Sequence, residues 1–87
     1  MTRGFVFKAI DEERMYQEKM VADENRPDMV PVLSVGETIL AIQHNINQAT
    51  SAWYTGANPH ESAMEHLRKI AALCVQAGEH FGMPSRK

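Results

Sequence analysis

The sequence lacks several features that would assign it to a particular class of protein. It has one cysteine, Cys74, so an internal disulfide is excluded and we expect a reducing compartment, the cytoplasm. No run of 18 apolar residues is present, so no membrane-spanning helix is predicted. The first residues, MTRGFVFKAIDEE, turn acidic too early for a secretory signal. The net charge of −2 argues against bulk attraction to nucleic acid or anionic lipid.

Charged residues are missing from one long internal stretch. From Thr38 to His60 there is no Asp, Glu, Lys or Arg, although such residues are spread over the remaining positions. A helix exposed to water usually carries charges on its outer face. Here the polar positions are amides, hydroxyls and an imidazole: Gln43, His44, Asn45, Asn47, Gln48, Thr50 and Ser51. Three interpretations remain open, namely a solvated polar face, a subunit interface and a surface that contacts a small ligand.

The size of the chain predicts one domain that associates with itself. Residues 1–87 provide room for a single core, and a hydrophobic content of 44% is typical of a folded protein. A chain this short buries barely enough apolar surface to offset an ordering entropy of about 1.5 kcal/mol per residue. We therefore expect a homo-oligomer.

The middle of the chain carries the signals of a helix over about 34–55. Ser34 and Glu37 have the spacing of a capping box. Gly56 is expected to end the helix in the left-handed conformation. The apolar positions recur at spacings of 4, 3, 4, 3 and 4, which places them on one stripe: Val35, Ile39, Ile42, Ile46, Ala49 and Trp53.

A second strong helix is predicted over about 59–81. Asn58 is a capping residue before Pro59, and Gly82 is expected to stop the helix. Its stripe repeats the same spacings: Ala63, Leu67, Ile70, Cys74, Ala77 and Phe81. With the short TGAN turn, the two helices are predicted to form an antiparallel hairpin with both stripes, including Cys74, in a buried seam. The apolar residues beside the seam suggest that two hairpins pair into a four-helix bundle.

The remaining segments flank this hairpin (34–82). Residues 1–33 are predicted to contain an N-terminal helix, FKAIDEERMYQEKMVAD, and an extended connector with Pro27 and Pro31 that lies across the hairpin. Residues 83–87 form a short tail. The fold class is therefore all-α, with no second domain.

Charged residues offer two candidate sites. Arg14, Arg26 and Arg68 can clamp a phosphate if the fold brings two of them together. The acidic cluster on the first helix and the pair Glu61 and Glu65 can hold magnesium. The alternative for these carboxylates is ordinary surface pairing with nearby cations such as Arg68 and Lys69.

Three segments resemble a known family. EERMYQEK, LSVGETILAIQHNINQATSAW and AMEHLRKIAALCVQAGEHFGMPSR are similar to small phage proteins related to the all-α nucleotide pyrophosphohydrolases, the MazG-like group. The resemblance implies an oligomeric helical bundle that holds a nucleotide and magnesium between helices. In this chain the metal-binding carboxylate pattern is broken, because Gln43, His44 and Asn47 stand on one helix and Arg68 follows Glu65 on the next.

Three hypotheses about function follow, two from the resemblance and one from another class. The first is a cytoplasmic, phage-type protein that binds a nucleotide-like ligand without hydrolysing it and so sequesters a nucleotide or nucleotide signal. It needs no cofactor, and its candidate ligand-binding residues are Gln43, Asn47, Arg14, Arg68 and Lys69. The second is a helical interaction module that docks on a host protein and exposes an apolar patch when free. The third is a magnesium-dependent nucleoside triphosphate pyrophosphohydrolase, for which the metal ligands would be Glu12, Glu13, Glu61 and Glu65.

Overall fold

The computed structural model describes residues 1–22 and 32–86, which form three helices and contain no strand. These are α1 (Arg3–Ala22), α2 (Val35–Thr55) and α3 (Pro59–Phe81). The predicted all-α fold and the two helices of the hairpin are confirmed. The predictions for Pro27 and Pro31 concern residues outside the described ranges. None of the three helices has an apolar stretch of the length that a membrane crossing requires.

The start of α2 is held by the predicted capping box. The Ser34 N–H donates to Glu37 Oε1 at 2.9 Å, and the Glu37 N–H donates to Ser34 Oγ at 3.1 Å. The Ser34 backbone N–H, followed by the Ser34 hydroxyl, lowers the pKa of the Glu37 carboxyl from its usual 4.5. Because the folded-state pKa is depressed, this stabilisation is present above pH 4.5 and is lost as the pH falls through the lowered pKa.

The turn between α2 and α3 differs from the prediction in its backbone geometry. Gly56 has φ −79° and ψ 153°, so the expected left-handed conformation is wrong. Its N–H still donates to the Ala52 carbonyl oxygen at 3.0 Å. A Cβ at position 56 would lie only 2.7 Å from that oxygen, so the close approach of the backbone explains the glycine. Asn58 precedes the helix but makes no side-chain capping bond, whereas Gly82 ends α3 with φ +83° as expected for a left-handed terminator.

The three helices form a single layer with α3 in the middle. Both α1 and α2 pack against α3, and within the described residues they do not pack against each other. On α3, Arg68 and Glu79 contact α1. The half-buried His66 and Ala77 lie on the other side of the helix, and we infer that this side packs against α2. At 100° per residue, these two sets of positions are about 160° apart around α3. The order α1–α3–α2 is therefore close to flat.

A single layer buries very little. Among the described residues, Ala72 is the one buried hydrophobic residue. The other buried residues are polar: Glu13, Arg14, Thr38 and Gln76. A helical layer with an apolar side normally packs against a second layer, and this chain supplies none from its described helices.

The contact between α2 and α3 uses small and polar residues. On α2, the least exposed positions include Thr38, Ala41, Asn45 and Ala52. The Thr38 hydroxyl donates to the Ser34 carbonyl oxygen and the Asn45 amide to the Ala41 carbonyl oxygen, both at 2.9 Å. These polar groups are thus satisfied by the backbone of their own helix, and the short side chains let α3 approach closely.

The predicted buried seam is confirmed only in part. None of its twelve members is fully buried, and five are half-buried: Ile42, Ala49, Ala63, Ile70 and Ala77. The other seven are exposed: Val35, Ile39, Ile46, Trp53, Leu67, Cys74 and Phe81. We call these seven residues the hairpin face. The apolar spacing correctly groups residues on one side of each helix, but the side that meets the neighbouring helix is decided by which residues pack most closely.

Removing the Ser34 hydroxyl tests the capping box. We expect Ser34→Ala to lower the free energy of unfolding by about 1 kcal/mol, because the Glu37 N–H loses its acceptor. Urea denaturation at pH 7 measures the change. Ser51→Ala, an exposed position within α2, is the matched control and should be close to neutral. Equal effects of the two substitutions would contradict a capping role for Ser34.

Candidate functional site

Two ion pairs join α1 to α3. Arg14 donates to Glu79 through Nε–Oε1 at 3.0 Å and Nη2–Oε2 at 3.3 Å, which is a two-pronged contact. Arg68 Nε donates to Glu13 Oε1 at 2.7 Å. The Arg14 and Glu13 side chains are each only 8% exposed, so one partner of each pair is buried. The two pairs therefore fix the position of α1 on α3 and restrict both guanidinium groups.

Of the three residues of the candidate phosphate clamp, Arg14 and Arg68 are already paired with carboxylates, and Arg26 lies outside the described residues. Arg14 also lies 3.7 Å from Glu18 across one helical turn, so its guanidinium is surrounded by carboxylates. A phosphate at Arg14 or Arg68 would have to displace a carboxylate and leave Glu13 or Glu79 without its cation. Because leaving a buried charge unpaired is costly, Glu13 in particular disfavours that exchange.

A charged cleft lies between α1 and α3. It encloses about 450 Å³ and is lined by Ala9, Glu12, Glu13, Tyr16, Arg68 and Lys69. Two of the five predicted ligand-binding residues, Arg68 and Lys69, are thus brought together here. Tyr16, half exposed on α1, was not predicted and adds an aromatic ring to the same cleft. The cleft holds two carboxylates and two cations, so it has no strong excess of positive charge.

A larger apolar cleft lies between the N-terminal halves of the same two helices. It encloses about 600 Å³, and its apolar lining includes Val6, Ile10, Met64, Leu67 and Ala71. Its polar residues are His60, Glu61, Glu65 and Arg68. Through Leu67 this cleft adjoins the hairpin face.

The four carboxylates of the enzyme hypothesis fall into two places. Glu12 and Glu13 line the charged cleft, whereas Glu61 and Glu65 line the apolar cleft. In residues 1–22 and 32–86 there is no group of three or more His, Cys, Asp or Glu side chains with the geometry to hold a metal ion. Magnesium-dependent hydrolysis therefore stays a hypothesis without an assembled ligand set in the described part of the chain.

The other three predicted ligand-binding residues lie elsewhere. Arg14 lines a third cleft of about 330 Å³, together with Glu18, Val21, Gln76, Glu79 and His80. Gln43 and Asn47 are exposed on α2, which does not contact α1. One chain therefore does not bring its amides and its cations into one site.

The hairpin face is the main feature that sequence reasoning did not place correctly. On α2, Val35 is 52% exposed, Ile39 58% and Trp53 56%. On α3, Leu67 is 43% and Phe81 51% exposed. Single hydrophobic residues scattered over a surface are common, but here the exposed residues follow a regular helical spacing. Such an exposed stripe is typical of a surface that contacts another molecule.

Helix geometry places both stripes on the same side of the hairpin. On α2 the exposed stripe is rotated by about 100° from the residues that face α3, counting 100° per residue. On α3 the exposed stripe is rotated in the same sense, by about 70°, from the residues that face α2. Because the two helices run in opposite directions, rotations of the same sense bring both stripes to one side. The hairpin face is therefore a continuous apolar surface.

At Leu67 the hairpin face borders the apolar cleft beside α1, but the ion pairs to α1 and the charged cleft lie elsewhere around α3. The α3 positions that contact α1, Arg68 and Glu79, are about 130° from the stripe containing Leu67. Lys69 is two positions from Leu67, or about 200° around α3, so the charged cleft opens toward the other side of the layer. The layer thus has one apolar side and one charged side.

Comparison with known proteins assigns no family to the chain, because no family model, no curated protein and no solved structure matches it. The MazG-like resemblance therefore remains a prediction.

The Arg14–Glu79 pair is predicted to stabilise the packing of α1. Glu79→Gln should lower the free energy of unfolding by about 1–2 kcal/mol, because it removes the charge that faces a buried guanidinium. Glu18→Gln is the matched control, since it removes a more exposed carboxylate at 3.7 Å from the same arginine, and it should cost less than about 0.5 kcal/mol. Urea denaturation of both variants distinguishes the contacts. If Glu79→Gln and Glu18→Gln lower the free energy of unfolding by the same amount, the contact between Arg14 and Glu79 does not stabilise the packing of α1.

Proposed function

We propose that this chain is a helical interaction module that docks on another helical surface through the hairpin face. One observation carries the proposal: seven members of a regularly spaced apolar stripe are exposed together on one side of the layer. Such a surface in contact with water is unfavourable, and its burial is the dominant driving force of association. The interaction hypothesis anticipated an exposed apolar patch of this kind.

The size of the hairpin face suits a protein partner. Six large side chains about half exposed, at roughly 150–250 Å² each when free, leave on the order of 600 Å² of apolar surface. A standard interface buries about 800 Å² on each partner, of which somewhat more than half is apolar. The hairpin face therefore supplies the apolar area of a full interface.

The uncharged polar residues of α2 suit the edge of an interface. Gln43 and Thr50 lie beside the exposed stripe, and Asn47 about 105° from it, on the side of α2 that points away from α3. Interface centres are depleted of charged residues, and their rims are polar. Amides at the rim can donate and accept hydrogen bonds without the desolvation cost of a charge. This interpretation accounts for the absence of charges between Thr38 and His60.

Binding of a nucleotide-like ligand without hydrolysis remains the second candidate. The observation that favours it is the charged cleft, where the Arg68 and Lys69 cations and the Tyr16 ring line one volume of about 450 Å³. Lys69 makes no salt bridge with the other described residues, so its ammonium is available to a phosphate. A base can stack on the tyrosine ring.

Site-specific photocrosslinking tests the interaction module. A benzophenone amino acid at position 46, in the hairpin face, should form a covalent protein adduct in cells that produce the chain. The same amino acid at position 44, about 160° away around α2, is the matched control and should form little or none. Mass spectrometry identifies the adduct. Equal yields at both positions, or no adduct at position 46, would overturn the proposal.

Isothermal titration calorimetry tests the second candidate. A panel of linear and cyclic nucleotides is titrated into the protein, and any ligand that binds is repeated with variants. Lys69→Ala should weaken a phosphate-bearing ligand by about 1.5–3 kcal/mol, because a charge-assisted contact is lost. Lys8→Ala on α1, outside the charged cleft, should leave affinity unchanged. Absence of heat from every nucleotide would count against this candidate.

A further inference from the structure

We infer that the partner of the hairpin face is a second copy of this chain, and that the two copies pair face to face around a two-fold axis. The α2 and α3 helices of both copies would form the four central helices, with each α1 on the outside. This inference rests on the proposed interaction function and adds the identity of the partner.

The spacing of the two stripes favours self-pairing. Both helices repeat apolar residues at intervals of 4 and 3, the rhythm with which helices pack side by side at a crossing angle of about 20°. A two-fold operation brings each stripe against a stripe of the same period and nearly the same length. An isologous interface requires such a self-complementary surface.

The pattern of large and small residues supports the same arrangement. Cys74 lies between Leu67 and Phe81 along α3, and Ala49 lies between Ile46 and Trp53 along α2. The small residues leave depressions in the surface, and the large residues project from it. Alternation of this kind lets facing helices interdigitate without cavities.

The absence of charge removes the main obstacle to self-pairing. When two identical surfaces meet, a charged residue near the two-fold axis faces its own copy and is repelled. The hairpin face contains no charged residue, and its α2 neighbours Gln43 and Thr50 are uncharged as well. A different partner selected by charge complementarity would find no charge on this surface to recognise.

The described parts of the same chain do not cover the surface. The α1 helix contacts α3 about 130° away from it around the helix axis. At the C-terminal end, Met83 lies near Gly78 but stays 67% exposed, so it covers little of the hairpin face. Residues 23–31 lie outside the described ranges, and coverage by them is the competing arrangement that the experiment must distinguish.

The lone cysteine provides a reporter within the surface itself. Cys74 is exposed in the single chain and lies at the middle of the α3 stripe. Face-to-face pairing would cover it, whereas pairing through any other surface would leave it exposed. Thiol reactivity therefore reports which surface is buried, independently of the mass of the assembly.

The experiment combines sedimentation equilibrium with the rate of Cys74 labelling by a bulky maleimide, on the full chain. The wild type is expected at about twice the chain mass of 9.8 kDa, with slow labelling that accelerates on dilution. Ile46→Glu should weaken the dimer by about 100-fold or more, because each copy buries an unpaired carboxylate, and should label fast. His44→Glu introduces the same charge on the opposite side of α2 and should keep the dimeric mass and the slow Cys74 labelling of the wild type.

Circular dichroism measures the helix content of each variant. If Ile46→Glu unfolds the chain, Ile39→Gln replaces it in the experiment.

The alternative results are distinct. A monomer with protected Cys74 would show that the chain covers its own surface, and it would overturn the inference. A dimer in which Cys74 is labelled fast would show that another surface forms the dimer contact. A dimer that persists in the Ile46→Glu variant would show the same. Either result would overturn the inference. A monomer with reactive Cys74 would also overturn the second copy as partner. In that case the interaction module still stands if position 46 crosslinks to a different protein, and it fails if position 46 forms no adduct.

Discussion

The structure depends on the fact that α3 is the common neighbour of both other helices. Since α1 and α2 meet it on nearly opposite sides and do not touch each other in the described residues, the helices lie in one layer. Three helices enclose a core only when each contacts the other two. In a layer, every helix keeps two open sides, which is why Ala72 is the one buried hydrophobic residue within residues 1–22 and 32–86. The exposure of the hairpin face follows directly from this geometry.

In this single layer, charged side chains form the main described contacts between α1 and α3. Where a larger protein would join α1 to α3 with a hydrophobic core, this chain uses the Arg14–Glu79 and Glu13–Arg68 ion pairs. Buried ion pairs contribute orientation more dependably than stability, because desolvation offsets much of their Coulomb attraction. They hold α1 beside α3 within the layer and leave the apolar side of the layer open. The same pairs occupy the cations that the sequence offers to a phosphate, which makes association the better-supported function.

The charge-free segment and the layer together explain the polarity of α2. One side of this helix meets α3 through small residues, and the adjacent side carries the exposed apolar stripe. Gln43 and Thr50 flank that stripe, so they lie where a docking partner would approach. Lys69 and Tyr16, by contrast, lie on the charged side. A single chain therefore presents an apolar docking side and a charged cleft that do not obstruct each other, and the two proposed functions are compatible in one assembly.

Local signals determined much of this protein. The spacing of Ser34 and Glu37 identified the start of α2, and Pro59 and Gly82 marked the ends of α3. The apolar spacing of 4 and 3 residues grouped Ile39, Ile46 and Trp53 on one stripe. All these signals act within one or two turns of a helix, so they can be read from the sequence. Only the tertiary structure decided which way the stripes point. Close packing of Ala41 and Ala52, with Thr38 and Asn45 bonded to their own backbone, leaves the seven residues of the hairpin face exposed and the other five stripe members half-buried. Glu79 as the partner of Arg14 also had no local signal, since the two residues are 65 positions apart and meet only through the packing of α1 on α3.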